Sequence, residues 1–108
     1  MKRGDIVRVS LPGDYGKPRP ALVIQSDLFS EHPSVTVLPV TSELRDTPLF
    51  RIRLSPDSEN ALNRQSDVMI DKTMTIARSR IGAPFGRVRA DAMLEIDRRL
   101  ALFLGIAK

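Results

Sequence analysis

Val7, Val9 and Leu11 alternate with Arg8 and Ser10, the period of two that buries one face of a strand and wets the other. This predicts a first strand, ended by the turn-rich run Pro12-Gly13-Asp14-Tyr15-Gly16-Lys17-Pro18. Ala21 to Ile24 is instead continuously apolar between Pro20 and the polar Gln25-Ser26-Asp27. That pattern suits a central strand covered on both faces, with Ser26 or Asp27 placed to cap a short helical turn. A third strand is predicted from Val35 to Val40; Pro39 cannot donate to a ladder, so it predicts a strand end, an edge or a bulge. Phe50, Ile52 and Leu54 alternate with Arg51 and Arg53, a fourth strand with one apolar face and one face presenting two guanidinium groups. Ser66 to Ile70 and Thr73 to Ala77 complete the set, after a polar connection from Ser55 to Gln65.

The period changes after Arg89. Met93, Ile96, Leu100 and Phe103 recur at the spacing of one helix face, with Asp91 and Glu95 early, Arg98 and Arg99 later, and Gly105 as the stop. Leu94, Ala101 and Leu104 widen this stripe beyond one contact, which predicts that the helix also touches a second subunit. Several short strands and one terminal helix predict a mainly β (α+β) fold: a small twisted antiparallel sheet curled into a partly open barrel, not an alternating parallel α/β fold.

The chain has 108 residues, which predicts a single domain over 1–108. Hydrophobic residues make up 42% and charged residues 28%, a balance that excludes intrinsic disorder. No window approaches the roughly 18 apolar residues of a membrane span, and Met1-Lys2-Arg3-Gly4-Asp5 leads into a charged strand rather than a signal-peptide core. A cytoplasmic protein with no membrane partner is the expectation. With no cysteine and one histidine, His32, the chain excludes thiolate metal sites, cysteine nucleophiles and a histidine pair within one subunit. No metal and no cofactor are expected.

Lysine and arginine outnumber the acids by 17 to 13, and 13 of the 17 are arginine, the side chain suited to phosphate. Lys72, Arg78, Arg80, Arg87 and Arg89 fall in a run without an acidic residue, which reads either as a phosphate-tracking face or as a solvated loop surface. The P-loop, G-x-S-x-G and H-E-x-x-H patterns are absent. What remains is arginines, hydroxyls and carboxylates at strand ends, a set able to bind a phosphodiester and stabilise charge on it.

Gly4-Asp5-Ile6-Val7, the glycine-containing loop, and Lys17-Pro18-Arg19-Pro20-Ala21-Leu22-Val23-Ile24-Gln25-Ser26-Asp27 closely resemble the start of the MazF/PemK (Kid) family of toxin endoribonucleases. Leu38-Pro39-Val40-Thr41-Ser42, the block from Ser66 to Ile76 with Arg80-Ile81-Gly82 after it, and the helix end Leu102-Phe103-Leu104-Gly105-Ile106 extend the resemblance over nearly the whole chain. It implies an SH3-like barrel of the CcdB/Kid/MazF type with a C-terminal helix. It also implies a homodimeric, metal-independent toxin that cleaves single-stranded RNA at short sequences and is neutralised by a cognate acidic antitoxin. The 2′-hydroxyl would attack the adjacent phosphate, leaving a 2′,3′-cyclic phosphate and a 5′-hydroxyl.

By the same resemblance Arg19 matches the family's catalytic arginine and Thr41 the threonine ending its third strand. On residue type alone the first also reads as a surface arginine and the second as a strand-end cap. Arg19 stays protonated, so charge stabilisation or proton donation is its expected role. Asp71 matches a proton acceptor of the Kid branch, while Met69, Lys72 and Met74 depart from the family's arginine, glutamine and arginine. Asp71-Lys72 also reads as a polar turn between strands. Tyr15 and Lys17 in the first loop, together with Lys72, Thr75 and Arg80, are the expected RNA contacts, Tyr15 by stacking and Lys17 by reaching a phosphate. Arg51, Arg53, Arg78 and Arg87 are, like Arg80, candidates for the RNA backbone, though each alone reads as a solvated charge. Two alternatives stand beside this reading: a gyrase-binding CcdB-like toxin, whose helix end Leu104-Gly105-Ile106 superficially resembles, and a non-catalytic RNA- or antitoxin-binding module on the same fold.

Overall fold

Gly4 turns the chain into its first strand at φ +96°, a conformation that glycine adopts at little cost, with its N–H bonded to the Val23 carbonyl at 2.9 Å. The computed structural model describes residues 1–11 and 17–108. Its strands are β1 (Asp5–Val9), β2 (Arg19–Val23), β3 (Ser34–Thr41), β4 (Arg51–Leu54), β5 (Ser66–Met69), β6 (Met74–Ala77) and β7 (Gly86–Arg87), followed by helix α1 (Ala90–Phe103). Single 3₁₀ turns fall at Asp27–Phe29, Ile70–Lys72 and Arg78–Arg80; in the first, the Ser26 hydroxyl accepts from the Leu28 N–H at 3.2 Å, the cap that the sequence predicts.

All pairings are antiparallel, in the order β4-β5-β3-β2-β1-β7, with β6 on β3 off that path. β3 is the hub. One of its edges carries β2; the other carries β6 along Ser34–Val37 and β5 along Val40–Thr41, the two separated by the Ile70–Lys72 turn. That break explains Pro39, which lies inside the strand instead of ending it. The Thr36 carbonyl accepts from Ile24 on the β2 side, so alternation turns the Pro39 nitrogen to the opposite edge, where neither β5 nor β6 pairs.

Both sheet faces are covered, as Ala21–Val23 requires. Ile6, Leu22, Leu38, Val40, Leu54, Val68 and Ile70 pack with Ile96 of α1 on one face; Val7, Val9, Ala21, Val23, Val35, Val37 and Ile76 fill the other as the sheet curls into a half-barrel. β7 is a strand that the alternation did not reveal, because two residues are too short to show a period. It brings Gly86 against Asn60, where an added Cβ would lie 2.1 Å from the Asn60 carbonyl oxygen. Asn60 is buried and organises the long connection through bonds with Asp57, Leu62 and the Ser55 carbonyl.

Helix α1 ends as predicted. Gly105 takes φ +76°, its N–H bonds to the Leu102 carbonyl at 3.1 Å and that of Ile106 to the Ala101 carbonyl at 2.9 Å, a Schellman stop. Phe103 departs from expectation: the last turn overruns the sheet, leaving it about half exposed beside exposed Leu102, Leu104 and Ile106. Arg98 and Arg99 pair with Glu95 rather than with the helix end.

Candidate functional site

In the β1–β2 register Val9 lies opposite Arg19, and in the β2–β3 register Ala21 lies opposite Pro39. Continuing the second register by two residues sets Arg19 beside Thr41, at the mouth where β1 and β3 end and β2 begins. Arg19, Thr41 and Lys72 all line one groove of about 840 Å³. Its wall further includes Arg8, Pro20, Pro39, Leu62, Arg64, Met69, Met74 and Phe85. Among the described residues four cations, Arg8, Arg19, Arg64 and Lys72, line it against one acid, Glu43, a balance that favours a polyanion.

Beside Thr41 in the β3–β5 ladder is Asp67, only 1% exposed. One carboxylate oxygen accepts from the Arg45 N–H at 2.9 Å and from Arg51 at 3.2 Å; the other accepts from Arg53 Nε at 3.0 Å. Arg51 also reaches the Glu43 carbonyl at 2.8 Å and Arg53 that of Arg45 at 3.2 Å. Burial alone would raise the Asp67 pKa. The bonds from Arg53, the Arg45 N–H and Arg51 outweigh it and hold the carboxyl below its ordinary value. The segment after Thr41 is thereby pinned to the sheet. The Thr41 hydroxyl accepts from the Glu43 N–H at 3.1 Å, which leaves its own hydrogen to donate.

This arrangement corrects the reading of Arg51 and Arg53 as guanidiniums offered to a ligand: both are committed to Asp67 and to loop carbonyls, a demand invisible until β4 and β5 are paired. Arg87 bonds Asp5 at 2.7 Å, and Arg78 bonds the His32 carbonyl at 2.8 Å. Of the basic run, Lys72 lines the groove, whereas Arg78 and Arg87 are bonded elsewhere.

The remaining predicted residues scatter. Asp71 does not line the groove; its carboxylate lies 3.6 Å from Lys72 Nζ, and Lys72 does line it. Thr75 lies opposite Thr36 in the β3–β6 ladder, with the two hydroxyls 3.2 Å apart, and Arg80 is exposed in a 3₁₀ turn; neither lines the groove. Lys17 is exposed two residues before Arg19, and Tyr15 lies outside the described residues. Met69 and Met74, two of the three departures from the family pattern, line the groove on either side of the third, Lys72, in the chain. Sequence reasoning missed Arg8, Arg64 and Phe85. Arg8 looked like the wet face of an ordinary strand, and Arg64 and Phe85 sit in connections without periodicity.

Among the described residues, no three of histidine, aspartate and glutamate gather closely enough to hold a metal ion, and no helix is long and apolar enough to cross a membrane. What the groove offers is fixed positive charge and hydroxyl donors, suited to binding a phosphodiester and stabilising charge that develops on it.

The sequence pattern of the PemK-like, MazF-like toxins of type II toxin–antitoxin systems matches residues 2–104. The chain is 46% identical over 108 residues to a probable endoribonuclease MazF of Mycolicibacterium smegmatis, an alignment covering 99% of each. In fold it is similar to a mycobacterial endoribonuclease solved in complex with its cognate antitoxin, at a TM-score of 0.83, 23% identity and coverage of 100% and 98% of the two chains. It is also similar to a MazE–MazF crystal structure from Deinococcus radiodurans, at a TM-score of 0.80, 25% identity and coverage of 99% and 98%.

Proposed function

The chain belongs to the PemK-like, MazF-like toxin family, and from that premise we propose that it is an endoribonuclease that cleaves single-stranded mRNA at a short sequence within this groove, without a metal ion. The observation that carries the proposal is that Arg19 and Thr41 line one groove in which, among the described residues, cations outnumber acids.

In the proposed reaction the RNA 2′-oxygen attacks the adjacent phosphorus, the 5′-oxygen leaves, and the 2′-hydroxyl proton is lost as the 5′-oxygen gains one. The products are a 2′,3′-cyclic phosphate and a 5′-hydroxyl. Arg19 is the catalytic cation: its planar fork donates to the non-bridging oxygens as they gain charge. Thr41 donates its hydroxyl hydrogen to a phosphoryl oxygen. Lys72 adds charge to the groove wall, and Asp71 acts through Lys72, which it pairs, rather than by touching RNA. Arg64 is a phosphate contact; Lys17 and Arg80 lie outside the groove lining and would meet only RNA that extends beyond it.

Residues 1–108 act in this proposal as one cytoplasmic toxin domain that pairs into a homodimer. Its inhibitor is an acidic antitoxin segment with apolar anchors, which would compete with RNA for the same positive groove and order on binding.

The test is incubation with a diverse single-stranded RNA pool in EDTA, with product ends mapped, beside Arg19→Ala and Thr41→Ala. Discrete cuts with cyclic-phosphate and 5′-hydroxyl ends are expected, reduced about 10²-fold or more in the Arg19 variant while its fold is retained. RNA left intact across the pool, or cut only when a divalent ion is restored, would overturn the proposal.

A further inference from the structure

Among the described residues most of the arginine contacts are to oxygen, but Arg8 is held by a ring. Arg3 bonds Asp97 and Arg87 bonds Asp5, each at 2.7 Å, and Arg51 and Arg53 share Asp67. Arg8 has no carboxylate or carbonyl partner among the described residues; its guanidinium carbon lies over Phe85, 4.1 Å from the ring centroid. Two backbone bonds build this contact. The Gly82 N–H reaches the Arg8 carbonyl at 2.8 Å and the Phe85 N–H reaches the Ile6 carbonyl at 2.9 Å, so residues 82–85 run along β1 and set the ring beside the guanidinium. The ring quadrupole attracts the cation and limits its rotamers.

Arg8 is exposed and lines the groove, as does Phe85, so the side of the guanidinium away from the ring opens to whatever the groove binds. We propose that Arg8, layered on Phe85, is a stacking platform for one nucleobase of the bound RNA, a specificity-determining contact that rests on reading the groove as an RNA site. A guanidinium plane is a surface on which an unpaired base stacks, and a ring beneath it fixes that plane in advance. The apolar neighbours favour a base: Pro20 lies opposite Arg8 in the ladder, and Ala61 and Leu62 line the same groove. Arg19 lies one step along the register, opposite Val9. Alternation sends the Arg8 and Arg19 side chains to opposite faces of the sheet, so RNA that meets both, a phosphate at Arg19 and a base at Arg8, crosses the rim of the groove that they both line.

The experiment takes the shortest RNA that the wild-type protein cleaves and removes one base at a time, leaving an abasic sugar at each position in turn. The proposal expects one position at which base removal lowers kcat/KM about tenfold or more in the wild type. In Arg8→Lys, which keeps the charge and loses the plane, that penalty shrinks toward unity while the penalties at other positions persist. Phe85→Leu, with its folding checked by thermal melting because Phe85 also packs on the core, shrinks the same penalty. An unchanged abasic profile in Arg8→Lys overturns the inference. So does a pattern in which Arg8→Lys matches wild type throughout while Arg8→Gln weakens cleavage uniformly and flattens its salt dependence, which marks a phosphate contact. A wild-type protein that cleaves no RNA overturns the reading of the groove itself, a result distinct from either.

Discussion

Thr41 and Asp67 stand opposite each other in the β3–β5 ladder, a half-buried hydroxyl beside a carboxylate that is almost wholly buried. The pairing makes the groove depend on a residue that never lines it. Asp67 holds the Arg45 N–H directly and the Glu43 carbonyl through Arg51, so the chain leaving Thr41 has a fixed exit. Asp67→Asn replaces one acceptor oxygen by a donor and strips the counter-charge from Arg51, whose side chain is only 9% exposed. A loss of about 2–4 kcal/mol is expected, read from the urea midpoint. Faster hydrogen exchange at the Arg45 amide and a fall in kcat larger than the rise in KM should accompany it. An unaltered Arg45 amide in a destabilised variant would assign Asp67 to the sheet alone.

The same carboxylate gives the protein an acid limit. Its pKa in the folded state is held below the ordinary value by Arg53, the Arg45 N–H and Arg51 against the opposing effect of burial. Between the folded and unfolded values the unfolded chain binds more protons, so Asp67 stabilises the fold fully above the unfolded pKa of about 3.9 and loses that contribution as pH falls through the folded value. Denaturation of wild type and Asp67→Asn should differ by a constant amount from about pH 5 to pH 8, and the gap should narrow as pH falls below about 4 toward the folded value. A gap that persists at the acid end would show that the charge is not what stabilises.

Lys72 offers a measure of how the groove meets its ligand. It lines the wall while Asp71 restrains it at 3.6 Å, and its side chain is 62% exposed. Lys72→Gln restores the residue type usual in the family at this position and removes one cation. If Lys72 meets a phosphate, the slope of log affinity for single-stranded RNA against log salt should become shallower by about 0.7, with little change in melting temperature. An unchanged slope would leave Lys72 as the partner of Asp71 only.

Most of the strands and the helix were legible because burial imposes a period, and the two-sided core around Ala21–Val23 showed itself as an unbroken apolar run. Pro39 misled for a local reason: a missing donor matters only on an edge that is paired, and β3 has a gap there. The groove was legible in Arg19 and Thr41 through resemblance, whereas physical pattern alone left each as an ordinary surface residue. Arg51 and Arg53 were misread because their counter-ion Asp67 comes fourteen residues after Arg53 in sequence yet directly opposite it in the sheet. Arg8 and Phe85 were missed for the same reason, since their contact exists only once residues 82–85 lie along β1.

The helix end carries the last expectation. Met93, Ile96 and Leu100 bury their stripe in the core, yet Leu102, Phe103 and Leu104 remain 49%, 51% and 53% exposed and Ile106 is 78% exposed just beyond the Schellman turn. Four large apolar side chains gathered at one end of a helix form a patch of the kind that a monomer rarely leaves in water. A second copy of the chain is the expected cover, in line with the widened stripe read from the sequence. The substitution pair Leu102→Glu and Phe103→Glu places two like charges in such a contact without touching a fully buried residue. Sedimentation equilibrium at micromolar concentration should find the wild type as a dimer and the double variant as a folded monomer with unchanged helical circular dichroism. A double variant that still dimerises would move the interface to another face, and a monomeric wild type would remove the homodimer from the proposal.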